Sequence, residues 1–232
     1  GASSLKDNTT GSYNVAMGVG AMNASTTSSN NVAIGEVSCY NQTTGNSNTG
    51  VGYGTLTANV TGNANTAVGR QALTNNTADS NVAIGNACMI SNTTGTLNTA
   101  VGTASQYSSQ TSNNNTSVGT YSLNANTAGG QLTGIGRSAL ANNTTASNNT
   151  AVGYLALYQN TTGGDNTAVG RSALVVNTTG IQNTAVGGLA LDANTTAHYN
   201  TAVGYAAMTD NTIGTENTAV GRSALNSNTT GL

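Results

Sequence analysis

Proline, phenylalanine and tryptophan are all missing from this chain of 232 residues, and only 5% of its residues are charged. Without those rings the large aromatic core of an ordinary globular domain is excluded. Five Lys and Arg stand against seven Asp and Glu, a net charge of -2, so there is neither a basic footprint for nucleic acid nor a strong acidic field. No nucleic-acid partner is expected. No apolar run approaches the roughly eighteen residues of a membrane span, and no charged segment followed by an apolar one opens the chain, so neither membrane span nor signal peptide is read.

Groups able to do chemistry are equally scarce. His198 is the single histidine, too few for a His-based metal cluster or a Ser-His-Asp arrangement, and it is read as a solvated turn residue without a role. The acidic residues Asp79, Asp165, Asp192, Asp210 and Glu216 scatter through turns without the repeating pattern of calcium-binding β-helices. The expectation is no enzyme, no catalytic residues, no cofactor and no metal.

What is abundant is Gly, with 30 copies, alongside Asn, Thr and Ser. That composition also suits disorder, but its periodicity argues for a fold. The pentapeptide Asn-Thr-Ala-Val-Gly recurs. Its fourth residue, the anchor, falls at Met17, Ile34, Val51, Val68, Ile84, Val101, Val118, Ile135, Val152, Val169, Val186, Val203 and Val220. The spacing is seventeen throughout, except sixteen between Val68 and Ile84. A fixed short period marks a solenoid, whose units bury apolar surface by stacking on their neighbours.

Aligned on the anchor, the thirteen coils become columns. Gly follows the anchor in every coil, from Gly18 to Gly221, which predicts a bend needing positive φ or close backbone approach. Five residues after the anchor the column is apolar or thiol in twelve of thirteen coils, Gln106 being the exception; it is predicted to point inward. Thr or Val stands two residues before the anchor and is placed by period-two alternation on the anchor's face, read as the core side. The small residue between them, always Ala, Gly or Ser, is expected to face another subunit. Asn stands three before the anchor in twelve of thirteen coils, Leu132 excepted, and predicts a stacked amide ladder.

Each coil is then expected to hold two short strands, one of about four or five residues around the anchor, bounded by Asn and Gly, and one over the Ala-Leu segment. A turn follows at the Asn-Thr-Thr-Gly block, for example Asn177 to Gly180, where Asn and Gly tolerate left-handed backbone. The fold class is all-β: a parallel β-solenoid, or β-roll, of thirteen coils read as one domain over 1–232 with incomplete coils at both ends. At about 4.8 Å per layer this would make a rod roughly 60 Å long. No capping unit is recognisable. Excision from a longer array is expected, with head-to-tail stacking of open ends into a filament as the alternative. Cys39 and Cys88 fall three coils apart, about 14 Å, beyond the ~7 Å reach of a disulfide, and read as small core residues.

Two residues after the anchor, one column collects Tyr53, Arg70, Arg137, Tyr154, Arg171, Tyr205 and Arg222, with Glu36. It is a candidate surface-contact stripe for a glycan or cell-surface receptor, set against the plainer reading of a variable solvent-facing or inter-subunit column.

The segments Asn31-Val32-Ala33-Ile34-Gly35 and Asn81-Val82-Ala83-Ile84-Gly85 resemble the YadA-like head repeats of trimeric autotransporter adhesins. The Asn-Thr-Ala-Val-Gly variant is similar to arrays in phage and viral tail fibres and in bacterial surface proteins. The resemblance implies a left-handed parallel β-roll, a homotrimer, and a role in surface display or attachment. Three functions are therefore expected in order: an extracellular fibre or adhesin segment on a cell surface or virion, a self-assembling extracellular filament, and an ice-binding solenoid suggested by Thr two before the anchor in ten of thirteen coils.

Overall fold

The computed structural model describes residues 1–231; Leu232, which the sequence reading set just after the last turn glycine, lies outside the described residues. The fold is all-β, a parallel β-solenoid with one three-residue strand per coil and no helix among the described residues. Two compact units divide the chain after Asn115. Unit 1 holds β1 (Val15–Met17), β2 (Val32–Ile34), β3 (Thr49–Val51), β4 (Thr66–Val68), β5 (Val82–Ile84) and β6 (Thr99–Val101). Unit 2 holds β7 (Thr116–Val118), β8 (Thr133–Ile135), β9 (Thr150–Val152), β10 (Thr167–Val169), β11 (Thr184–Val186), β12 (Thr201–Val203) and β13 (Thr218–Val220).

Pairing inside each unit is parallel and in column register, as in Thr167↔Thr184 and Val169↔Val186. The sixteen-residue coil keeps that register, since Thr66 still pairs with Val82 and Val68 with Ile84. The missing residue is therefore taken from the turn, at the second Thr of the Asn-Thr-Thr block, and the strands are undisturbed.

The strand faces are the reverse of the sequence expectation. Ala33, Ala67, Ala83, Ala100, Ala151 and Ala168 are fully buried, while the Thr and Val on either side are half-buried to exposed. Alternation does put Thr and the anchor on one face, but that face points outward. The small residue is small because the interior is thin. At Gly50 an added Cβ would sit 2.7 Å from Ser38 Oγ and 2.8 Å from Thr55 Oγ1, and at Gly134 it would sit 2.7 Å from Ser122 Oγ. At these two strands a facing hydroxyl fills the space a methyl group would take and donates to the strand carbonyl: Ser38 Oγ to Gly50 O at 3.0 Å, Ser122 Oγ to Gly134 O at 2.8 Å.

Among the described residues no second strand forms. The Ala-Leu segment is turn, because the residue before Ala and the Leu itself both have positive φ, as in Ser172 at 57° and Leu174 at 51°. Leu still points inward: Leu123, Leu140, Leu157, Leu174 and Leu191 are fully buried, each contributing on the order of 2 kcal/mol from apolar burial. The Leu N–H donates to the next coil's carbonyl, Leu174 N to Ala190 O at 3.0 Å, so the backbone stays paired without a strand. Left-handed backbone was expected at the Asn and Gly of the Asn-Thr-Thr-Gly turn. It falls instead on these two columns and on the residue before the strand Asn, such as Gln182 at 54°.

The bend glycines behave as anticipated. Gly170 has φ +137°, and a Cβ there would lie 2.5 Å from both C and O of Gly187 in the next coil. Neither the dihedral nor the space admits a side chain.

Asparagines build two ladders. In the column before the strand, Asn183 donates from its backbone N–H (3.0 Å) and its Nδ2 (3.2 Å) to Asn166 Oδ1, and Asn217 does the same to Asn200. In the turn column, Asn160, Asn177 and Asn194 each donate Nδ2 to the Oδ1 one coil back at 2.9–3.0 Å and to a turn carbonyl three residues on. Both ladders are buried, so each amide supplies the partner that its neighbour's burial demands.

Candidate functional site

The outward surface starts from the strand. Its two outward columns, Thr or Val and then Val, Ile or Met, contain no charged residue in any coil. They are half-buried to exposed: Ile84 is 40% accessible, Val118 38% and Ile135 39%. Inside each unit the in-register pairing stacks these two columns layer on layer, about 4.8 Å apart, so the face is regular and, wherever Thr stands beside Val or Ile, sets hydroxyl beside methyl.

One step beyond the bend glycine stands the Tyr and Arg stripe. Tyr53, Arg70, Arg137, Tyr154, Arg171, Tyr205 and Arg222 are all exposed. In unit 1 the structure brings two of them together, with Arg70 Cζ 5.8 Å from the centre of the Tyr53 ring. In unit 2 Arg137 Cζ lies 5.8 Å from the Tyr154 ring, and Arg171, Tyr205 and Arg222 continue the same column. Glu36 occupies the stripe in unit 1, and no carboxylate occupies it in unit 2.

A third outward feature has a structural origin. Loss of one turn Thr in the sixteen-residue coil leaves an open notch of about 500 Å³, walled by Thr61, Asn63, Thr94 and Thr96 over Thr77 and Asp79. Asp79 Oδ1 accepts from Asn63 N at 2.6 Å and Nδ2 at 3.2 Å, and so belongs to the backbone's own pairing.

His198 works in the same way. Its Nδ1 accepts the Ile181 N–H at 3.0 Å, as Asn63 Oδ1 accepts Asn46 N and Ser147 Oγ accepts Gly130 N in other coils. This acceptor column was missed in the sequence because its members are chemically unlike; its signal is a position always two residues before the strand Asn, not a residue type. Cys39 and Cys88 are free and buried, and burial pushes both thiols up to about 12. Among the described residues no group of three or more His, Cys, Asp or Glu could hold a metal ion, and no helix is long and apolar enough to cross a membrane.

Fold and surface together define a β-solenoid repeat protein with a charge-free strand face and a flanking Tyr and Arg stripe. Among known proteins no family model, no curated sequence and no solved structure matches the chain.

Proposed function

We propose that the chain is a non-catalytic structural segment of an extracellular fibre or adhesin, displayed on a cell surface or virion, and that it associates with copies of itself through its strand face. One observation carries this reading: every strand presents an uncharged outward pair, Thr or Val followed by Val, Ile or Met, half-buried to exposed and, within each unit, in register. An uncharged, repeating face has no use for a charged partner, and an identical face on a second copy offers the same spacing and the same methyl groups, as closed symmetric oligomers require. The resemblance of Asn31 to Gly35 and Asn81 to Gly85 to YadA-like head repeats supports a trimer.

Light scattering with electron microscopy of the purified chain over a range of concentrations tests it. The expected result is rods of three-chain mass, reduced to one-chain mass by the double substitution Val152→Lys and Val169→Lys. A wild-type chain that stays monomeric at every concentration would overturn self-association.

A second reading is favoured by the reversed strand faces. An ice-binding surface wants parallel outward ranks, and Thr and the anchor do share the outward face. A thermal hysteresis assay separates the two: the structural reading predicts no activity, and clear activity lost in Val152→Lys and Val169→Lys would replace it.

A further inference from the structure

We propose that the stripe of unit 2, Arg137, Tyr154, Arg171, Tyr205 and Arg222, binds an extended acidic polysaccharide laid across the coils. This goes beyond the structural role and does not require self-association. Arg137, Arg171 and Arg222 are the only Lys or Arg residues of unit 2, and all three stand in one column. The four acids of the unit, Asp165, Asp192, Asp210 and Glu216, stand in other columns. A random scatter of three cations over seventeen positions would seldom align them, and no pairing need inside the coil explains it.

The backbone sets the direction of the side chains. Each stripe residue follows a bend glycine of nearly constant φ, +130° at Gly136, +136° at Gly153, +137° at Gly170 and Gly204, so successive side chains leave the coil alike. With a pitch of about 4.8 Å, Arg137 and Arg171 lie about 10 Å apart and Arg171 and Arg222 about 14 Å apart. Between them Tyr154 and Tyr205 are exposed at 43% and 51%. Gly188 leaves a gap in the row, over which the Tyr205 ring leans, close enough that a Cβ on Gly188 would touch it at 3.5 Å.

The ligand class follows from this chemistry. Arg presents a planar fork suited to bidentate recognition of carboxylate or sulfate, and every cation here is Arg and none Lys. Exposed Tyr rings offer an apolar face and a hydroxyl, matching the C–H face and hydroxyls of a pyranose. Duplex nucleic acid fits poorly, because it calls for a broad basic field and this chain carries a net -2. A linear polymer with an anionic group at intervals fits a straight row of alternating guanidinium and ring.

The test measures binding of the full chain at low ionic strength to polygalacturonate, dextran sulfate and neutral dextran. Binding is expected to one or both acidic polymers and not to dextran; polygalacturonate alone assigns carboxylated sugars, dextran sulfate alone sulfated ones. Arg171→Thr should weaken binding at least tenfold, and Tyr154→Ala with Tyr205→Ala about tenfold at unchanged charge, each with an unchanged circular dichroism spectrum. The double variant Arg171→Thr, Thr179→Arg keeps the net charge and moves the cation to another exposed column; it should bind as weakly as Arg171→Thr. No binding to either acidic polymer, equal binding to dextran, undiminished binding by the Tyr variant, or wild-type binding by the relocated-charge variant would each overturn the proposal. Repeating the measurement on the unsubstituted chain at concentrations where light scattering shows single chains, and again where it shows oligomers, separates its failure from that of self-association.

Discussion

Units 1 and 2 are built on the same coil and differ in how well their inner columns are filled. In unit 2 the turn ladder runs without interruption from Asn126 to Asn228, each Nδ2 donating to the Oδ1 one coil back. Unit 1 has Ser25, Gln42 and Ser109 in that column, and of its turn asparagines only Asn92 reaches its neighbour, Asn76, at 2.6 Å. Asn59 Oδ1 and Asn92 Oδ1 are buried without a partner, as are both polar atoms of Gln106, which occupies the Leu column. The Asn59 defect lies against the shortened coil, whose Asn76 keeps the usual turn bond to Ala78 O but makes no donation to Asn59 Oδ1. A repeat therefore tolerates imperfect columns, and at Asn59, Asn92 and Gln106 the imperfection leaves a polar group that water can no longer reach.

The largest effect that sharpens this contrast is kinetic. Both cysteines lie in unit 1, and with their thiols near 12 a thiol reagent at pH 8 should label them on the order of a thousandfold more slowly than in the unfolded chain. Labelling then reports how often unit 1 opens, and fast labelling of folded protein would contradict the burial described. Next comes the ladder. Asn160→Ala removes two donated bonds and strands Asn177, at a cost of about 2–3 kcal/mol by chemical denaturation, whereas Asn92→Ala, whose Oδ1 already lacks a partner, should cost about 1 kcal/mol less. Equal costs would mean that the ladders are equivalent. Gln106→Leu should raise the stability of unit 1 by about 1–2 kcal/mol, seen as slower hydrogen exchange there, and narrow the gap between the units.

The smallest effect belongs to Asp192, whose carboxyl is pushed up from 3.8 by burial, with Asp210 adding to the rise. A raised folded-state value means that the native state holds its proton more tightly than the unfolded chain does. Stability is therefore lost as pH climbs from about the unfolded value through the folded one. Because the group is partly solvated, Asp192→Asn should stabilise unit 2 at neutral pH by only about a few tenths of a kcal/mol and flatten that part of the pH profile. A melting temperature at pH 7 lower than that of the parent would reverse the sign.

Much of the coil was legible in the sequence. The period placed each strand, although it is three residues long where about four or five were read, the bend glycines announced a position without room for a side chain, and the buried Leu column and the strand Asn ladder both stand where the columns put them. Which face of the strand looks inward was not legible. Alternation says that Thr and the anchor share a face but leaves open which face it is, and size misled: Val and Ile look like core residues and Ala like a contact point until the interior is seen to have room only for Ala beside Leu and two amide ladders. The second strand failed for a related reason. Left-handed backbone at Leu, Ser or Gln has no composition signal, unlike at Gly, so an Ala-Leu segment reads as extended when it is a turn held by coil-to-coil hydrogen bonds. Of the outward features, the stripe was visible as a column, while the acceptor column holding His198 and Asp79 was hidden by its mixed chemistry.

The inward Ala and outward Val are the centre of the account, and thermal unfolding followed by circular dichroism tests them most directly on two neighbouring positions of β10. Ala168→Leu should overpack a fully buried site and cost about 1–3 kcal/mol or more, while Val169→Lys should leave the fold intact with a change of about half a kcal/mol in the isolated chain. A Val169→Lys chain that unfolds while Ala168→Leu melts like the parent would turn the strand over and contradict the account.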